Sequence, residues 1–155
     1  VIPVGNKGLV IEKVDGPSHL KVVEEFGYEM YMHCGAIRKV LLAWQTPTFI
    51  DEYFRTIIIH DQAFPHVRPD DLREELKKIR QDGYAITRGE YVNDAVGIGA
   101  PVFNSEGELA GSIGIIAPEI RIDSPELLET QRDLVQFYAS ALSSDLGYEK
   151  HDVFQ

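Results

Sequence analysis

Glycine recurs along two neighbouring apolar runs, and its spacing limits the fold more than any other feature. In Val96–Phe103 the side chains of Val96, Ile98, Ala100 and Val102 point one way, while Gly97 and Gly99 point the other. In Glu108–Ile116, Leu109, Ile113 and Ile115 share one face; Ala110, Ser112 and Gly114 share the opposite one. Asn104-Ser105-Glu106-Gly107 joins the two runs as a hairpin, with Gly107 free to take the positive φ such a turn needs. Each strand therefore has one bulky face and one nearly bare face. Interior glycine weakens a strand, so a cluster of it marks a place where something approaches the backbone closely. A docked helix and a bound ligand both satisfy that pattern.

The flanking segments alternate between the two periodicities. Gly8–Gly16 reads as a strand closed by Asp-Gly, with His19–Phe26 as its return. From Gly35 the period changes: Ile37, Val40, Leu41 and Trp44 form the stripe of an amphipathic helix that ends near Thr46. Thr46 and Pro47 cap a second helix carrying Phe49, Ile50, Tyr53 and Phe54. Ile57–Ile59 is too short to assign, and His60–Arg68 reads as loop. Pro69, Asp70 and Asp71 open a helix with Leu72, Leu76 and Ile79 on its buried face and Gly83 as its stop. Tyr84–Thr87 returns to strand. Ser124-Pro125-Glu126 starts a long last helix, whose expected buried stripe is Leu128, Val135, Tyr138 and Leu142. Runs of strands separated by runs of helices predict an α+β fold, an antiparallel sheet with helices packed on it.

The 155 residues suit one domain over 1–155. A net charge of −10 repels nucleic acid and anionic membrane surfaces, and no local basic run offsets it. No apolar stretch is long enough to span a bilayer, so no membrane partner is expected. The single cysteine, Cys34, fits a reducing compartment, and the expected location is cytoplasmic. The chain starts Val1-Ile2-Pro3-Val4 without an initiator methionine, and is read as a piece of a longer protein cut at a domain boundary.

Five segments, in order and spacing, resemble the C-terminal effector-binding domain of IclR-type transcriptional regulators. They are His33–Ala43, Leu72–Leu76 with Ile79–Ala85, Glu90-Tyr91, Gly97–Phe103 and Gly111–Pro118. The resemblance runs from about Gly8 to Ser143. It implies a GAF-like fold that senses a small molecule, does no catalysis and requires no cofactor. It also implies a winged helix-turn-helix that reaches DNA and is absent from this chain, together with homo-oligomeric assembly. The family's pocket, carried over by position, involves Met30, Ala36 and Ile37 around the helix start, and Thr87, Gly97, Gly114 and Ile116 on the sheet. A helix N-terminus suits an anion, so a carboxylate-bearing effector is expected. Only Thr87 is polar among the four sheet positions, where the family commonly has acidic, thiol or hydroxyl groups; a bulkier, partly apolar effector follows. Arg38 stands where the family usually has glycine. It is expected at the surface with its stem packed, the alternative being a guanidinium for the effector carboxylate.

Two other classes compete. Cys34 beside His33 can be read as the nucleophile of a GAF-like cysteine-dependent enzyme, or, more simply, as a half-buried small residue at a helix start. A pure interaction module that binds no metabolite is the other. His60, Asp61 and His66, with Asp51 or Glu52 nearby, match no known metal spacing, so no metal is expected. Gly97-x-Gly99 and Gly111-x-x-Gly114 lie within strands and are not dinucleotide fingerprints.

Overall fold

The structure, a computed structural model, describes residues 1–18, 22, 24–61 and 67–149. Two three-stranded antiparallel sheets form among them. The first orders β1 (Ile2–Val4), β2 (Lys7–Leu9) and β3 (Glu29–Tyr31); the second orders β4 (Ala85–Arg88), β5 (Ala95–Phe103) and β6 (Leu109–Pro118). Helix α1 (Ala36–Ala43) covers the glycine face of the second sheet, and α3 (Pro69–Asp82) packs behind it. Helix α4 (Pro125–Asp145) covers the opposite face. Between α1 and α3 lies one apolar core, with α2 (Pro47–Tyr53) on its flank; the other core holds Val96, Ile98, Ala100 and Val102 against Val135 and Ala139 of α4.

Several local signals act as expected. The Thr46 hydroxyl accepts from the Phe49 amide, and the Ser124 hydroxyl accepts from the Leu127 amide. Gly83 ends α3 at φ 78°, and Gly107 closes the hairpin at φ 76°. Asn104 Oδ1 accepts from the amides of Glu106 and Glu108, so the turn is held by its own first residue.

Other expectations change. The strand expected at Gly8–Gly16 stops at Leu9, and its return lies at Glu29–Tyr31 rather than His19–Phe26. His19, Leu20, Lys21 and Val23 lie outside the described residues; Val22 and Glu24–Phe26 carry no strand. Branched residues supply strand propensity, but β1 and β3 together offer only three-residue partners. Helix α1 is buried all round, Arg38 and Lys39 included, instead of showing the solvated face of an amphipathic helix. Ile57 and Ile58 fall in a π-helical turn, Phe54–Ile58, that prolongs α2. On α4, Ala139 and Ser143 take the buried places expected for Tyr138 and Leu142. Small residues let that helix approach the sheet, and Ser143 Oγ accepts from the Phe103 amide at 3.0 Å while donating to Ala139 O. Leu109 leaves the face of Ile113 and Ile115 and joins the core on the α1 side. A register shift at Val102/Phe103 is the cause, since one extra residue sends a side chain through the sheet.

The glycine face shows why α1 docks there. A Cβ on Gly99 would stand 2.7 Å from Ile37 Cα and 2.9 Å from Ile37 N, so the backbone of α1 rests on the backbone of β5. On Gly114 it would overlap the Ile98 carbonyl oxygen of the paired strand and stand 2.6 Å from Ile37 Cγ1. On Gly97 the nearest atoms are side chains, Thr87 Oγ1 at 3.1 Å and Ala36 Cβ at 3.4 Å. Gly99→Ala should therefore destabilise by about 1–3 kcal/mol, as overpacking against a rigid backbone does, and Gly97→Ala by less than about 1 kcal/mol. Urea unfolding of both variants checks that order.

Candidate functional site

Strand register assembles the sheet side of the site. Thr87, Gly97 and Ile116 are direct partners across β4, β5 and β6; Ala85, Gly99 and Gly114 form the next row on the same face. The second row is filled by Ile37, so at Gly99 and Gly114 the bare face receives a helix. The first row lies beyond the start of α1 and keeps a small cleft of about 20 Å³, room for about one water. Ala36, Ile37, Arg38, Thr87, Gly97 and Ile116 all line this cleft, and Tyr91 walls it from the 89–94 turn. Six of the eight residues expected from sequence thus meet. Gly114 sits under the Ile37 side chain, outside the cleft, and Met30 lies on β3 opposite Gly8 in the other sheet. Tyr91 belonged to a recognised segment, but nothing in the local sequence assigns it to a wall.

The start of α1 is held by polar groups from the sheet. The Thr87 hydroxyl accepts from the Ala36 amide at 3.1 Å, and Ser112 Oγ donates to Ile37 O at 2.7 Å. Lys39 N donates to Gly35 O, so the amides of Ile37 and Arg38 have no acceptor within the helix. Ser112 also exchanges backbone bonds with Val1: its amide donates to Val1 O at 2.8 Å, and Val1 N donates to Ser112 O at 2.9 Å.

Arg38 is buried, not spread on the surface, with 2% of its area exposed. Its Nε donates to Gly8 O at 3.4 Å, and Nη1 donates to Glu24 Oε1 at 2.7 Å. The guanidinium lies 5.8 Å from the Tyr28 ring centroid and 5.5 Å from that of Tyr91. Nη2 has no hydrogen-bond partner among the described residues. Burial, helped by a hydrogen bond with Tyr28, pushes the Tyr91 hydroxyl up, so it stays neutral. Tertiary folding conceals Arg38 because Gly8 leaves room for its stem: a Cβ there would be 3.0 Å from Arg38 Cγ.

On the other side of the α1 start, Cys34 is 1% exposed and His33 2%. Burial, reinforced by Asp61, pushes the Cys34 thiol up to about 12. Burial also outweighs the pull of Asp61 on His33 and holds the imidazole below its ordinary value. Neither is the profile of an activated thiolate pair, which needs a depressed thiol. Asp61 meets His33 Nε2 at 2.7 Å; His60 is exposed, and His66 lies outside the described residues. A larger, mostly apolar groove of about 720 Å³ runs along β6, bounded by Ile37, Gly114, Ile116, Leu142 and Leu146. Ile37 and Ile116 line both this groove and the small cleft.

A family model described as bacterial transcriptional regulator IclR C-terminal matches residues 2–144. An uncharacterized HTH-type transcriptional regulator of Escherichia coli K12, RhmR, is 30% identical over 139 residues, covering 88% of this chain and 51% of that protein. The HTH-type transcriptional regulator KipR of Bacillus subtilis is 28% identical over 148 residues, covering 93% of this chain and 58% of KipR. The crystal structure of the Thermotoga maritima IclR superimposes with a TM-score of 0.84 at 26% identity, covering 95% of this chain and 60% of that one. The chain spans about half the length of the curated relatives it matches. The GAF-like α+β expectation is borne out by the shared fold.

A thiol moved from 9.0 to about 12 loses about a thousandfold of its thiolate. Iodoacetamide should therefore label Cys34 at least ~100-fold more slowly in the native chain than in urea-unfolded chain at neutral pH, part of the loss being offset by higher intrinsic nucleophilicity. Mass spectrometry of timed samples measures both rates.

Proposed function

Because the chain belongs to the IclR family of bacterial transcriptional regulators, whose C-terminal domain it matches, we propose that it binds a carboxylate-bearing, partly apolar effector at the start of α1. The carboxylate would take the Ile37 and Arg38 amides and the spare Nη2 of Arg38. The carrying observation is that buried guanidinium with one nitrogen unpartnered among the described residues, beside a glycine row and a helix start. A cleft of one water's volume holds no metabolite, so binding requires an opening. Ile37 is the divider between the cleft and the larger groove, and its rotation would join them, placing the apolar body of the effector along β6.

Coupling would follow from the same contacts. Ser112 holds Ile37 O and both backbone groups of Val1, so displacing the first turn of α1 is felt where the described chain begins. An effector that binds the opened arrangement better shifts the population toward it. In the whole protein a winged helix-turn-helix would carry that shift to DNA; this chain, with its net charge of −10, would contribute no DNA contact. The reading includes no catalysis, a cytoplasmic setting and homo-oligomeric assembly. No helix among the described residues is long and apolar enough to cross a membrane. A second reading, an interaction module, is favoured by one observation: Phe137 and Tyr138 on α4 are 65% and 60% exposed.

Thermal unfolding against a panel of carboxylic acids and their amides tests the proposal. At a hundred times its dissociation constant an effector acid should stabilise by about 2.7 kcal/mol, and its amide by far less. Gly97→Ala, which narrows the cleft, should remove most of that response while destabilising the unliganded chain by less than about 1 kcal/mol. A response to glyoxylate or pyruvate alone contradicts the bulky effector, and an inert panel with concentration-dependent mass favours the interaction module.

A further inference from the structure

Three side chains that no effector reading uses come together beneath the start of α1. The ligating atoms of His33, Cys34 and Asp61 lie within 4.8 Å of one another. They come from two segments, one leading into α1 and one following the π-helical turn, and the Asp61 side chain is 6% exposed. Imidazole nitrogen, thiol sulfur and carboxylate oxygen make up the mixed donor set that a borderline divalent ion takes.

Outer contacts match the same chemistry. His33 Nδ1 is 2.7 Å from Tyr53 Oη, so the ring is oriented by a buried hydroxyl with its Nε2 edge toward Asp61. An outer partner of that kind fixes the tautomer of a metal-bound histidine. A cavity of about 150 Å³ adjoins the trio, bounded by His33, Cys34, Lys39, Glu75 and Glu90. Among the described residues two cations line it, and both are paired: Lys39 with Glu75 at 2.8 Å and Glu90 at 2.7 Å, and Arg68 with Asp71 at 3.4 Å.

We propose that His33 Nε2, Cys34 Sγ and the Asp61 carboxylate form a three-ligand site for one divalent transition ion such as Zn²⁺ or Co²⁺, its remaining position opening onto this cavity. On binding, the S–H bond of Cys34 breaks and the sulfur–metal bond forms, with one proton released to solvent. The imidazole is neutral before and after: it gives up the Nε2 proton that faces Asp61 and takes one on Nδ1, which then donates to Tyr53 Oη, so the net release remains the one thiol proton. Thiolate and carboxylate together cancel the charge of the ion, which suits a buried site. Since Gly35 follows Cys34 directly, an ion here ties the start of α1 to the segment after α2. The proposal stands apart from effector binding.

The test is a Co²⁺ titration of the 155-residue chain, chelator-stripped, reduced and kept free of oxygen. One equivalent should bind with saturation, develop a near-ultraviolet sulfur-to-cobalt charge-transfer band, and be displaced by Zn²⁺. The chain has one cysteine, so that band reports Cys34 alone. Cys34→Ser should lose the band and bind at least ~10-fold more weakly; Tyr53→Phe should keep the band and bind about 10–100-fold more weakly. Absence of saturable one-to-one uptake by the unsubstituted chain overturns the proposal, as does a band that persists in Cys34→Ser.

Discussion

Backbone-on-backbone contact between α1 and β5 is the constraint on which the rest depends. Ile37 Cα occupies the volume that a side chain at residue 99 would fill, and the Ile37 side chain occupies that of residue 114. Helices ordinarily meet sheets through side chains. Here the missing Cβ atoms draw the helix inward until it is enclosed by the sheet, by α3 and by β2. The two proposed sites flank its first turn, the Thr87-Gly97-Ile116 cleft on one side and the His33-Cys34-Asp61 cluster on the other.

Enclosure turns the two basic residues of α1 into internal ones, and each is handled differently. Lys39 is matched by Glu75 from α3 and Glu90 from the turn after β4, a charge-compensated group that locks three segments together. Among the described residues Arg38 has a single carboxylate, Glu24, two tyrosine rings and one nitrogen to spare. Removing one partner of a buried pair costs far more than the pair contributes, so these groups act chiefly as constraints on arrangement. A spare donor in so dry a place is the kind of incomplete satisfaction that native structures keep at binding sites.

The buried faces of α3 and the capping of α2 and α4 were legible locally, because Pro47, Pro69, Pro125, Thr46, Ser124 and Gly83 act within one turn of themselves. So was the alternation of the hairpin, which placed Gly97, Gly99 and Gly114 on bare faces, whereas Thr87 and Ile116 were reached through the family resemblance and joined to Gly97 by the strand register. Leu109 was not legible, since one register shift redirects it. Nor were Tyr138 and Leu142: they carry the apolar character of a stripe, yet α4 turns its small residues Ala139 and Ser143 inward.

By itself the sequence determined that this chain pairs an antiparallel hairpin with helices, and that one face of the hairpin, at Gly97, Gly99 and Gly114, is bare. These follow from short-range periodicity and steric volume, which a one-dimensional pattern records in full. Only the tertiary structure decided that Ile37 fills most of the bare face, that Arg38 is buried, and that Asp61 seeks out His33 and Cys34. Those outcomes rest on how far apart segments close on one another, and a contact between residues 28 positions apart leaves no local mark on either.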